Sequence, residues 1–233
     1  MRVVPVIDLM AGQVVHARRG DRASYAPIVT PLAASSDPLA VVDGLLAHAP
    51  FRTLYVADLD AIRGQGDHRE VIARIRERHA ALRLWVDAGV GSATALAPWT
   101  TLGVTPVIGT ESLPSRAALG EIVSACPDAL LSLDTRAGQP LGPAEIFDDA
   151  TCWPGAVIVM TLDRVGSGSG PAVAALQEVM TRAAGRKVIA AGGVRSAEDL
   201  ERLAALGVHA ALVASAIHDG SLDRAALARF TDA

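Results

Sequence analysis

The chain has only two cysteines in 233 residues, Cys126 and Cys152, too few for a disulfide framework and without metal-ligand spacing. Apart from His16, its histidines (His48, His68, His79, His209 and His218) are scattered without ligand spacing, and each reads as a surface residue. No metal and no cofactor are therefore expected. No apolar run approaches the roughly 18 residues of a membrane span, and the start shows a short strand pattern in place of a basic region followed by an apolar stretch. A cytoplasmic protein with no membrane partner is expected. No Lys/Arg cluster is long enough to track a phosphate backbone, and the net charge is -4, which argues against nucleic acid. It leaves room for a phosphate pocket built from backbone amides. No Ser/Pro/Gly-rich linker interrupts the chain, so one domain is expected over 1–233. Oligomeric state is not encoded in any pattern found.

What is present is a large apolar fraction, 51% against 20% charged, enough for a sizeable core. It falls into eight short runs: Val3 to Ile7, Thr53 to Ala57, Arg83 to Val86, Thr105 to Ile108, Ala129 to Leu133, Val157 to Met160, Lys187 to Ala190 and Ala210 to Val213. Runs of four or five apolar residues with little alternation predict strands buried on both faces of a parallel sheet. Helical patterns fill most gaps. Asp37-Pro38 opens one, with Leu39, Val42 and Leu46 on its predicted face, and Ser196 opens another, with Leu200, Leu203 and Leu206. Gly103 and Gly207 follow helices as expected C-terminal caps. Eight alternating units predict a (β/α)8 TIM barrel, with a doubly wound open sheet as the alternative.

An internal echo favours the barrel. Val-Ile-Asp8 returns as Ser-Leu-Asp134, Ala88-Gly89-Val90 as Gly192-Gly193-Val194, and Ile108-Gly109-Thr110 as Val213-Ala214-Ser215. Such spacing suits an internal duplication into half-barrels of about 1–125 and 126–233, which close on each other. Residues just past strand ends line the catalytic face of such a barrel, and Asp8, Asp58, Asp134, Thr161 and Asp163 fall there. Asp8 and Asp134 form a candidate acid/base pair, one removing a proton while the other donates one; the alternative for each is a turn or cap aspartate. Gly89 with Gly109 and Thr110, and Gly192 and Gly193 with Ala214 and Ser215, are candidate phosphate loops next to helix starts. Ordinary tight turns remain the alternative. Asp58, Thr161 and Asp163 would orient substrate hydroxyls or cap their loops. Trp85 and Trp99 are expected to pack, Trp153 to pack or cover a ligand, and the Gly166, Gly168, Gly170 run to be a lid or a plain loop.

Six motifs in order, Pro5 to Gly12, Val56 to Asp60, Ile108 to Thr110, Ser132 to Gly138, Met160 to Asp163 and Ala191 to Val194, resemble the histidine-biosynthesis half-barrel family of isomerase and cyclase. The start is closer to the isomerase. The resemblance implies an aldose-ketose isomerase, formally an intramolecular oxidoreductase, acting on a phosphorylated sugar or bisphosphate by an Amadori-type rearrangement. Asp8 would be the base, Asp134 the acid, and Thr161 would assist at the sugar.

The departures are specific. His16 stands where the isomerase has arginine, Asp87-Ala-Gly-Val-Gly91 replaces Gly-Gly-Gly-Ile-Arg, and Ala214 replaces a glycine. The segment Val15 to Pro27 is similar to isomerase-related paralogues of methanogens and methylotrophs that accompany one-carbon cofactor pathways. That likeness implies a substrate-facing loop of His16, Arg18, Arg19, Arg22 and Tyr25, against a solvated basic loop. Besides the isomerase, the candidates are thus a one-carbon cofactor enzyme with a different phosphorylated substrate and a non-catalytic phosphometabolite sensor.

Overall fold

In the computed structural model, which describes residues 1–17 and 20–231, eight parallel strands close into a (β/α)8 barrel. They are β1 (Arg2–Met10), β2 (Thr53–Asp58), β3 (Arg83–Asp87), β4 (Thr105–Gly109), β5 (Leu130–Arg136), β6 (Ala156–Thr161), β7 (Lys187–Ala191) and β8 (Ala210–Val213). Each pairs in parallel with the next, and β8 returns to β1 through Arg2↔Ala210 to Pro5↔Val213. Closure on β1 rules out the open-sheet alternative. Each strand is followed by a helix: α1 (Pro38–His48), α2 (Arg69–Arg78), α3 (Ala93–Thr101), α4 (Arg116–Ala125), α5 (Ala144–Asp148), α6 (Val173–Arg182), α7 (Ala197–Leu206) and α8 (Arg224–Ala228).

The apolar runs are continuous because alternate side chains enter two different cores. On β1 to β3, Ile7, Leu9, Leu54, Val56, Leu84 and Val86 point outward against the helices, while Val4, Tyr55, Ala57 and Trp85 fill the barrel. Each fully buried Leu or Ile contributes about 1.5–3 kcal/mol. The Arg2 guanidinium lies 5.4 Å from the Trp85 ring centre at the N-terminal end of the barrel, which plugs the floor.

Helix ends follow their local chemistry. Asp37 accepts the Ala40 amide at 3.0 Å ahead of Pro38, Ser196 accepts from Asp199 at 3.4 Å, and Gly207 ends α7 in the left-handed conformation. The buried face of α1 differs from the one predicted: Pro38, Val41, Val42 and Leu45 are buried, whereas Leu39 and Leu46 are only half-buried. The helix is apolar nearly all round, and Pro38, Val41, Val42 and Leu45, at i, i+3, i+4 and i+7, form the better stripe. Among the described residues no helix is long and apolar enough to cross a membrane.

Two structural additions shape the catalytic end. β1 runs past Asp8 to Met10 and turns back into Gln13–His16, pairing Asp8 with Val15. β5 runs past Asp134 to Arg136 and turns back into Gln139–Pro140. Both turns are Ala-Gly with two positive φ values, 50° and 78° at Ala11-Gly12, and 49° and 73° at Ala137-Gly138, the type I′ geometry that matches strand twist. Asp8 and Asp134 thus sit within paired strands, three residues ahead of a hairpin turn.

Candidate active site

The hairpins are pinned alike. The Ala11 amide donates to Asp60 Oδ2 at 2.9 Å, and the Ala137 amide donates to Asp163 Oδ1 at 3.0 Å. In the first half the anchor extends further: the Gly12 amide donates to His68 Nε2 at 2.9 Å, and His68 Nδ1 meets Asp58 Oδ1 at 2.8 Å. Asp58 also takes the His68 and Ala61 amides. Its hydrogen bond raises the His68 pKa. His68 is therefore buried and structural, a correction to its expected surface position. His218 is likewise buried, against Thr30, and desolvation lowers its pKa to about 4. The two partners lie ten and 188 residues away in sequence.

A cavity of about 510 Å³ opens at the C-terminal end of the barrel, the size of a small-molecule site. Of the residues proposed from sequence, Asp8, His16, Asp134, Gly192, Gly193, Ala214 and Ser215 line it. Asp58, Thr161, Asp163, Gly89, Gly109 and Thr110 do not. Asp58 and Asp163 are engaged in the loop anchors, and the Thr161 hydroxyl is buried with no hydrogen-bond partner among the described residues. Arg19, with Arg18, lies outside the described residues.

The two glycine loops are no longer equivalent. Gly192 and Gly193, with φ of 95° and 87°, face the cavity beside Ala214 and Ser215. Gly193 is packed against backbone, a Cβ there falling 2.2 Å from the Gly170 carbonyl oxygen, and the segment leads into the Ser196-capped start of α7, where a helix N-terminus can meet an anion. Ser215 Oγ lies 3.3 Å from His16 Nε2. Arg195 stands at the same rim, its guanidinium held by Asp199 through two contacts of 2.9 Å. In the first half, a Cβ on Gly89 would fall 2.7 Å from the Ile62 Cα. Thr110 instead serves Asp134: its Oγ1 accepts the Asp134 amide at 2.9 Å and lies 3.4 Å from Asp134 Oδ2.

Asp134 is almost wholly buried. Ser132 Oγ donates to its Oδ1 at 2.6 Å and the Glu111 amide to its Oδ2 at 3.2 Å. Desolvation, reinforced by the nearby Asp87 charge, raises its pKa to about 8. Asp8 faces the cavity without a hydrogen bond from its carboxylate to the described residues; desolvation raises its pKa to about 7, against the pull of Arg22. Arg22 itself is bonded to Glu111 at 2.5 Å across the mouth. Two carboxyls poised near neutrality on facing strands can take and give protons at physiological pH.

Among the lining residues not singled out as site residues from sequence are Asp87, Arg195 and Glu111. Asp87 is buried, receives the Tyr55 hydroxyl at 3.3 Å and the Gly89 amide at 3.2 Å, and has its pKa raised by desolvation to about 6. Its signal was the carboxylate in place of the first motif glycine. Arg195 follows Gly192-Gly193-Val194 directly. Glu111 follows Gly109-Thr110 and had no signal of its own. Arg22 and Tyr25 line the cavity as the substrate-facing alternative for their loop requires. Trp153 is buried away from the cavity, donating to the Ile146 carbonyl at 2.7 Å. Val165 to Gly168 form part of the cavity wall. Among the described residues no three His, Cys, Asp or Glu side chains are grouped to hold a metal ion.

The model of a family described as histidine biosynthesis protein matches residues 2–223. The chain is 31% identical over 232 residues to an uncharacterized protein of Methanocaldococcus jannaschii, covering 96% of each chain. It is 32% identical over 247 residues to the 1-(5-phosphoribosyl)-5-((5-phosphoribosylamino)methylideneamino)imidazole-4-carboxamide isomerase of Halorhodospira halophila, covering 98% of this chain and 96% of the relative. The isomerase of the same name from Thermus thermophilus is 28% identical over 235 residues, covering 95% and 96%.

Proposed function

From a chain that belongs to the histidine biosynthesis protein family, we propose an isomerase that converts a phosphorylated aldose, amine-linked at its first carbon, to the ketose by acid/base catalysis. The observation that carries this reading is that Asp8 and Asp134 line one cavity from opposed strands with both carboxyls held near neutrality. Protonated Asp134 donates to the ring oxygen as the ring C–O bond breaks, leaving a Schiff base. Asp8 as carboxylate takes the proton from the second carbon, and its bonding pair moves to form an enolamine. Return of a proton to the first carbon and loss of the second-carbon hydroxyl proton give the ketose. Atoms balance, and no electron acceptor is needed. A phosphate group is read onto Gly192-Gly193 and Ala214-Ser215, with Arg195 at the rim, where backbone amides and cation complement an anion.

Asp8→Asn and Asp134→Asn should each lower turnover at least about a thousandfold while phosphate affinity stays within about tenfold. Unchanged turnover in both would refute the assignment. A sensor would instead keep its cellular role in both variants and lose it on substitution at Gly193.

A specific observation favours a second reading, a family enzyme with a different phosphorylated substrate, such as one from one-carbon cofactor metabolism. Gly89 does not line the cavity, Gly91 and His16 replace arginines of the isomerase motif, and a third carboxylate, Asp87, enters the cavity. Expression in an isomerase-deficient histidine auxotroph separates the two. Growth supports the histidine substrate, and failure to grow with retained phosphate binding supports the second reading.

A further inference from the structure

We infer that Asp87 is a positioning residue that shares one proton with Asp134 and so keeps Asp134 in its acid form. The inference rests on Asp134 as the proton donor proposed above. Its geometry begins with the strand between them. Asp87 ends β3 and Asp134 lies on β5, separated by β4, on which Val107 pairs with Asp87 and Gly109 pairs with Ser132, two residues before Asp134. A Cβ built there would lie 2.9 Å from Asp134 Oδ2 and 3.5 Å from Asp87 Oδ2. Gly109 has an ordinary φ of -74°, so its backbone does not call for glycine. The absent side chain is what lets the two carboxyls approach over the same Cα.

Among the described residues, every hydrogen bond given to the pair comes from a neutral donor. Asp134 receives Ser132, the Glu111 amide and, at 3.4 Å, Thr110, while Asp87 receives Tyr55 and the Gly89 amide. Among the described residues, the charged and titratable groups around them are Asp8 from β1, Tyr55 from β2, Glu111 after β4, and His16 and Arg22 from the ribbon and loop after β1. The guanidinium of Arg22, which lowers the Asp87 pKa, is already bonded to Glu111. Two buried carboxyls that flank the same Cα, with no cation bonded to either among the described residues, resist ionising together at neutral pH. One proton remains between them, and the ionised partner holds it there. Tyr55 donates to Asp87, and this stabilises Asp87 as the ionised member. Asp134, deeper among like charges, keeps the proton. In the isomerase motif the position of Asp87 is glycine, so the device belongs to this chain's own pattern.

Carbon-detected NMR of aspartate labelled at the side-chain carboxyl, from pH 4 to 9, tests this without a substrate. In the unmodified protein the Asp87 and Asp134 signals should each respond in two steps, near about 6 and about 8. Asp87→Asn should lower the Asp134 midpoint by about one pH unit or more, whereas Asp134→Asn, neutral like the protonated acid it replaces, should leave the Asp87 midpoint near about 6 and remove the second step from its signal. Asp87→Gly, which restores the motif residue, should act on Asp134 in the same direction. Independent single steps in the unmodified protein overturn the inference even if every variant fails to fold. So does an Asp134 midpoint that moves by less than about 0.3 in Asp87→Asn, which is what a purely structural Asp87 gives. The titration reads the coupling whether or not a sugar phosphate is turned over. Failure of the proposed activity would appear only in the turnover of the Asp8 and Asp134 variants.

Discussion

Asp134→Asn should gain stability over the unmodified protein as pH rises from 5 to 8. The Asp134 carboxyl has its pKa raised from 3.8 to about 8 in the fold, chiefly by desolvation. The folded value lies above the unfolded one, so the stability linked to this proton is complete below about pH 4 and is lost as pH climbs towards about 8. Between pH 5 and 8 the folded protein holds the proton and the unfolded chain does not, and each pH unit crossed removes about 1.4 kcal/mol. That amounts to about 3–4 kcal/mol over the interval, which asparagine escapes. The amide has one acceptor oxygen where the carboxyl has two, so it weakens the contacts with Ser132 or with the Glu111 amide by about 1 kcal/mol at either pH. This offset cancels in the comparison. For a chain of this size the difference corresponds to a relative rise in Tm of about 10 °C between the two pH values. Thermal unfolding of both proteins at pH 5, 6.5 and 8 measures it. A stability difference independent of pH would refute the buried, proton-holding carboxyl.

Other outcomes follow from the same geometry. Arg22→Gln removes the cation that pulls the Asp8 pKa down, so the acid limb of kcat/KM should move to higher pH; an unmoved limb counts against Asp8 as base. Asp60→Ala and Asp163→Ala should each cost about 1–2 kcal/mol in urea unfolding, because each frees a hairpin amide; a change confined to one would break the equivalence of the two anchors. Gly193→Ala forces φ of 87° on alanine and drives its methyl into the Gly170 carbonyl oxygen. It should destabilise by more than about 1 kcal/mol and abolish phosphate binding by calorimetry, whereas intact binding would move the anion site elsewhere.

The barrel was legible because its strands are buried on two sides, and β1 to β8 therefore read as unbroken apolar runs. The acids Asp8 and Asp134 were legible through their repeated context. Their depth was not, because the hairpins turn on alanines at positive φ, Ala11 and Ala137, and alanine gives no turn signal in a sequence. Asp87 was visible only as a missing glycine. Its meaning depends on Gly109, two strand positions away in space and 22 residues away in sequence. The burial of His68 and His218 depends on Asp58, ten residues away, and Thr30, 188 residues away, partners that no motif announces. The two glycine loops differ in whether they line the cavity, though both pack against backbone, Gly89 on Ile62 and Gly193 on Gly170, and no motif announces the difference.

The matched Ala-Gly hairpins separate two kinds of change that natural selection can make. Because strand register fixes Asp8 and Asp134 below the turns, substitutions in the Arg22 loop or the Gly166 to Gly170 segment can alter which molecule is admitted without moving the proton-transfer groups. A lineage can therefore drift between substrates by remodelling the rim while its catalytic frame is inherited unchanged. Such an arrangement favours descent of new specificities from one ancestral chemistry.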